Sequence, residues 1–260
     1  MTQFGLPVAY VVLVWWLATG CILYLDGLPK RTFPLSLAAS TLVTAAALVG
    51  LARSAADVTA VGAFVAFTCA LGVWSWMELS FLTGYVTGPR RVGCAIDCHG
   101  ARHVWHAIEA VLYHELAILG GAVAVAVVTW RSPNQIGLMT FALLWLMRTS
   151  AKLNLFLGVR NLGESFLPDH LAYLRTFLRR RRMNPLFPVS VTIASAGVAV
   201  LGYHAVAAGS SGYQATGSTL LAVLLALAVL EHGFMMLPIS SEALWSWGFR
   251  SRAAPARPTV

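Results

Sequence analysis

The chain has 260 residues, 58% of them hydrophobic and only 11% charged, with a mean hydropathy of +0.73 and a formal net charge of +8. A soluble domain carries about 25% charged residues, so a soluble enzyme fold is excluded. A transmembrane β-barrel would show alternating segments of about ten residues, whereas the apolar runs of this chain are long enough for the roughly twenty residues that a membrane-crossing helix needs. Composition therefore predicts an all-α, polytopic integral membrane bundle.

Hydropathy and turn residues predict seven spans, at Leu6–Leu25, Phe33–Ala52, Thr59–Thr83, His103–Trp130, Gln135–Leu157, Leu186–Ala208 and Ala215–Leu237. Asp26-Gly27 with Pro29, Thr87-Gly88-Pro89, Ser132-Pro133-Asn134 and Gly209-Ser210-Ser211-Gly212 separate them. The first run lacks a basic leader and ends in Asp26, Lys30 and Arg31, which reads as a span and not a cleaved signal peptide. Residues 1–252 form one transmembrane domain on this reading. The loop at about 158–184 carries a basic amphipathic helix from Asp169 to Arg182 on the cytoplasmic surface, and 253–260 form a disordered cytoplasmic tail.

Charge orients the bundle. Lys30, Arg31, Arg90, Arg91, Arg102, Arg160, Arg175, Arg179–Arg182 and the C-terminal arginines fall in alternate connections, against Arg53 and Arg131 on the other side. The positive-inside rule then predicts a multi-pass protein of the bacterial inner membrane, N-terminus periplasmic and C-terminus cytoplasmic. The net charge is read as this topology signal and as contact with anionic lipid. No nucleic-acid-binding module accompanies it.

Several spans carry groups that are costly at bilayer depth, roughly 2.5–3.5 kcal/mol each on insertion scales. They are Glu78, then His106, Glu109, His114 and Glu115, then Arg148, Lys152 and Asn154, then Glu231 and His232. The orientation puts most of them roughly 5–17 Å from the cytoplasmic boundary, at 1.5 Å per residue. At about 100° per residue, His103, His106, Glu109, Tyr113 and His114 share one face of the fourth span, and Glu115 falls on the opposite face. Three readings fit this layer. It can be a set of packing ion pairs, a ligand site in which imidazole ligates the magnesium of a chlorophyll-type pigment or the iron of a haem, or the centre of a metal-dependent oxidoreductase. The third is weakened because His106-x-x-Glu109 reverses the order used in di-iron bundles.

Cys94, Cys98, His99 and His103 supply the ligand types for a metal ion such as zinc, at a spacing that matches no standard zinc signature. Cys21 and Cys69 lie in apolar runs as packing residues. Nucleotide-binding glycine motifs, the Gly-x-Ser-x-Gly elbow and His-Glu-x-x-His are absent.

LYLDGLPKRTF (Leu23–Phe33), WSWMELSFLTGYVTGPRR (Trp74–Arg91), LYHELAI (Leu112–Ile118), MRTSAKLNLFLGVRNL (Met147–Leu162), FLPDHLAYL (Phe166–Leu174), MNPLFPVSV (Met183–Val191) and ALAVLEHGF (Ala226–Phe234) form a set. Together they resemble the PuhE family of photosynthetic complex assembly proteins of anoxygenic phototrophic bacteria, over nearly the whole chain. The resemblance implies an inner-membrane factor that assembles the reaction-centre/light-harvesting complex or modulates bacteriochlorophyll supply. It implies complex subunits or pigment-pathway proteins as partners, and no catalytic residues to carry over. Bacteriochlorophyll or a precursor then becomes a candidate ligand of the polar layer. His106 and His114 are the first axial ligands to expect and His232 the next. Glu78, Glu109 and Glu231 would be polar or counter-charge groups, balanced by Arg148 and Lys152. An oxidoreductase of the pigment pathway and a purely structural scaffold remain the alternatives.

Overall fold

The computed structural model describes residues 2–95, 97–207, 209–237, 239 and 241–252; the tail 253–260, expected to be disordered, lies outside them. Seven helices follow one another: α1 (Thr2–Asp26), α2 (Phe33–Ser54), α3 (Ala60–Leu82), α4 (Gly100–Val128), α5 (Ile136–Leu157), α6 (Leu186–Val206) and α7 (Gly212–Phe234). All seven are long and apolar enough to cross a membrane, and no strand occurs among the described residues. The all-α expectation is met.

Local chemistry sets the helix ends. Thr59 Oγ1 accepts from the Gly62 amide at 3.1 Å and opens α3. At α7, Ser211 Oγ accepts from the Gln214 amide at 3.2 Å while Gln214 Oε1 accepts from the Ser211 amide at 3.1 Å. This capping box lets the helix begin at Gly212, ahead of the Ala215 that hydropathy selects. α5 stops at Gly158, whose φ of 121° favours a residue without a Cβ.

α3 and α7 form the centre. About half of each most apolar window is buried, 44% and 50%, against 11% for α2 and 6% for α6. α2 pairs with α3 and α6 with α7 as antiparallel hairpins; α1 packs on α7, and α5 packs on both α3 and α7. Phe67, Ile118, Phe141 and Leu220 are fully buried between them, with Trp74 edge-on to Phe141 at 5.4 Å between centroids. Lipid is as apolar as these side chains, so close packing and hydrogen bonds hold the bundle together.

Two buried asparagines tie opposite ends. Asn134 Nδ2 reaches the carbonyls of Ser54, Asp57 and Gly62 at 3.0–3.1 Å. Its Oδ1 accepts from Tyr213 Oη at 3.2 Å, joining the α2–α3, α4–α5 and α6–α7 connections. At the other end Asn184 Nδ2 donates to the Gly158 carbonyl at 2.9 Å and to Asn154 Oδ1 at 3.1 Å. The remaining connections meet there: Arg252 pairs with Asp26 at 2.6 Å, the Cys94 amide donates to Thr176 Oγ1 at 3.0 Å, and Asn161 Nδ2 donates to the Phe234 carbonyl at 3.0 Å. The basic connections therefore share one end of the bundle.

One expectation is corrected. Asp169–Arg182 is not a continuous amphipathic helix resting on a surface. Asp169–Phe177 forms a 3₁₀ segment, Leu178 is extended, and Arg180 bridges to Val159. Leu171, Leu174 and Phe177 are buried against Phe81, Leu82 and Ala110. The physical reason is their spacing of three, which lines up along one edge of a 3₁₀ helix and drifts around an α-helix.

Candidate ligand cavity and a thiol–imidazole cluster

α1, α3, α4, α5 and α7 surround a cavity of about 1100 Å³, closed at one end by the α5–α6 connection and the C-terminal turns around Trp245. Its wall is mostly apolar, but Glu78, His114, Glu115, Arg148, Lys152, Glu231 and His232 all line it. These residues are scattered over four helices in the sequence, and the fold gathers them around one space. The volume reaches the upper end of ordinary ligand sites, about 300–1000 Å³.

The charges are paired across the cavity. Arg148 Nη2 donates to Glu78 Oε2 at 2.8 Å, linking α5 to α3, and Lys152 Nζ donates to Glu115 Oε1, linking α5 to α4. The spacing of Arg148 and Lys152, one helical turn apart, puts both on the same face of α5. Glu231 has no basic partner among the described residues; its Oε1 accepts from Trp15 Nε1 at 2.6 Å. Nothing in the sequence signalled Trp15, because an indole in an apolar run reads as an interfacial or lipid-facing residue.

The two cavity histidines differ. His232 is committed: Nδ1 donates to the Ala228 carbonyl at 2.9 Å and Nε2 accepts from Ser150 Oγ at 2.9 Å. His114 is 1% exposed, and neither ring nitrogen has a hydrogen-bond partner among the described residues. Its ring lies against Phe81, 4.4 Å between centroids. Its backbone is also unusual. The His114 amide donates to the Thr87 carbonyl at 2.9 Å, and the Arg90 amide donates to the Glu109 carbonyl at 3.4 Å, so the segment after α3 lies directly on the backbone of α4. Gly88 makes that approach possible, since a Cβ there would stand 1.9 Å from the Glu109 oxygen.

His106 and Glu109 do not join this cavity, contrary to the face expected from helical angles. Glu109 faces Arg90, 3.8 Å away. His106 Nδ1 lies 3.3 Å from both Cys94 Sγ and Cys98 Sγ. Glu115, expected on the far side, is the α4 carboxylate that reaches the cavity. The projection treated polarity as pointing inward, whereas the α3–α4 connection supplies polar partners outside the core.

The second cluster of interest consists of Cys94, Cys98, His103 and His106. His103 Nδ1 lies 3.4 Å from Cys94 Sγ, and Cys94 and Cys98 are paired as a disulfide, their Cα atoms 6.1 Å apart. His99, expected among the ligands, is instead the exposed residue preceding α4.

A protein family described as a protein of unknown function, DUF3623, matches residues 1–256. The chain belongs to the DUF3623 family. It is 39% identical over 249 residues to a Rhodobacter capsulatus protein described as an uncharacterized 30.4 kDa protein in the puhA 5' region, covering 94% of this chain and 90% of that relative. No solved structure matches this DUF3623 chain.

Proposed function

We propose that the protein is an inner-membrane assembly factor for the photosynthetic reaction-centre/light-harvesting complex, and that it holds bacteriochlorophyll or a precursor in the central cavity with His114 as axial ligand. The observation that carries this reading is a fully buried imidazole, both nitrogens without partners among the described residues, in the wall of a cavity of about 1100 Å³. A buried polar group without a partner costs roughly 1–3 kcal/mol, and coordination to a central metal removes that cost once the ring turns a nitrogen, now shielded, toward the cavity. The apolar wall suits a macrocycle and its tail, while Glu231 and the free Glu78 Oε1 can meet polar substituents. The position of the Rhodobacter capsulatus relative beside puhA, together with the resemblance to PuhE, supports the photosynthetic context. His232 and His106 are not proposed as pigment ligands, because their nitrogens face Ser150, Ala228 and the thiols.

The test is pigment content. Purified in mild detergent from a pigment-producing host, the protein should carry a tetrapyrrole absorption band. His114→Leu should lose it while helical circular dichroism is retained. A colourless wild-type protein from actively pigmented cells would overturn the ligand role and leave the ion pairs as a scaffold.

A further inference from the structure

The geometry points to a structural zinc site formed by Cys94, Cys98, His103 and His106, at the junction of the α3–α4 connection with α4. The set differs from the one that sequence spacing suggested, with His106 replacing His99. His103 and His106 are three residues apart and so share a face of the first turns of α4. Cys94 and Cys98 fold over that face.

The sulfur-to-nitrogen distances are near those around one ion, and opening the disulfide parts the two sulfurs to admit it. A tetrahedral zinc with bonds of about 2.3 Å to sulfur and about 2.0–2.1 Å to nitrogen separates its sulfur and nitrogen ligands by about 3.6 Å. The sulfur-to-nitrogen distances here are 3.3, 3.3 and 3.4 Å. The donor atoms of Cys94, Cys98 and His106 all lie within 4.8 Å of one another, the one such convergent group of His, Cys, Asp or Glu among the described residues; His103 lies outside it and approaches beside Cys94 Sγ.

The donor chemistry selects the metal. Thiolates and imidazoles favour zinc over magnesium or calcium, which take oxygen ligands. Two thiolates balance the dication, so the occupied site is neutral. That neutrality matters beside Arg90, which donates to the Gly93 carbonyl, and Arg179, whose charge acts on His103. Zinc binds the reduced form: an external thiol reductant first supplies two electrons and two protons to open the Cys94–Cys98 disulfide, and binding then releases the two thiol protons to solvent.

The imidazoles are positioned from outside the cluster. The His103 ring stacks on Phe156 of α5, 5.4 Å between centroids and 24° between planes, with Phe177 at 5.7 Å on another side. The Arg179 guanidinium covers the Phe156 ring, 5.7 Å from its centroid. The Cys94 amide is held by Thr176 Oγ1 at 3.0 Å. Phe156 and Phe177 also line the large cavity. With His103 drawn in from beside Cys94 as the fourth ligand, no open position would be left, which marks a structural centre. Zinc here would fasten the α3–α4 connection to α4, and through His103 to the segment that closes the cavity.

Metal analysis of the full chain, purified in detergent under reducing conditions without chelator, should find one zinc ion per chain. Replacement by Co²⁺ should give the thiolate charge-transfer and tetrahedral d–d bands. Cys98→Ser and His106→Ala should each lose the metal, and His99→Ala should retain it. Wild-type protein that takes up neither zinc nor Co²⁺ after reduction, whether its thiols are free or return to a disulfide, would overturn the site. So would zinc kept by His106→Ala and lost by His99→Ala. The Co²⁺ spectrum of the wild type carries the test even where a variant fails to fold.

Discussion

The backbone amide of His114 donates to the carbonyl of Thr87 at 2.9 Å, so a residue in the middle of α4 is held by the segment that follows α3. This contact fixes the depth and rotation of the His114 ring in the cavity wall. It depends on Gly88, whose neighbours are backbone atoms of Glu109 and Ala110 and cannot rotate away.

Gly88→Ala should therefore destabilise the protein by about 1–3 kcal/mol or more, the cost of forcing an added methyl into a packed site. Thermal melts in detergent read this directly. Pigment retained on purification should fall with it, because the displaced segment releases His114. A melting temperature equal to wild type would show that the close approach is not needed.

The Glu78–Arg148 pair gives a second expectation. The Glu78 side chain is 12% exposed and that of Arg148 38%. Removing one partner of a fully buried pair costs about 3–5 kcal/mol, and the exposure of Arg148 puts the cost here below that range. Glu78→Leu leaves a guanidinium that cannot lose its charge, whereas Arg148→Met leaves a carboxylate that a proton can neutralise. Glu78→Leu should be the more damaging of the two, and the double variant should recover part of its loss. Stability measured over the full cycle decides the matter; additive losses would mean the pair does not couple.

His170 gives the pH dependence. It sits on the segment Asp169–Phe177, and Nε2 donates to the Leu82 carbonyl at 2.8 Å. Burial pushes its pKa below the ordinary 6.5; the Leu82 bond opposes this, nearby Lys30 and Arg252 add to it, and Asp169 opposes it. The unfolded chain thus takes up a proton at higher pH than the folded one. The stabilisation from neutral His170 is complete above pH 6.5 and is lost as the pH falls through the folded value. Melting curves from pH 8 downward should show this decline, and His170→Gln should flatten it. An unchanged profile in that variant would assign the decline to other groups.

Hydropathy and loop charge made the seven helices legible, and the gathering of basic connections at one end follows from their alternation. The intramembrane charges were legible as a group for the same reason, since they interrupt apolar runs. Their arrangement was not. A helical projection grouped His106 with His114, yet the fold sends one to the thiols and the other to the cavity. Trp15 and Ser150 gave no signal, because each gains its role only from a partner far along the chain: Glu231 for Trp15 and His232 for Ser150.

The sequence by itself determined an all-helical bundle of seven spans, because crossing hydrocarbon demands long apolar helices that satisfy their own backbone. It also determined which polar residues interrupt those apolar runs. Tertiary structure alone decided that Glu78, Glu115 and Glu231 share a cavity with His114, and that His106 rather than His99 faces Cys94 and Cys98. Helix rotation and the path of the α3–α4 connection make those choices. Both are set by packing between segments distant in the chain, which periodicity along one helix does not encode.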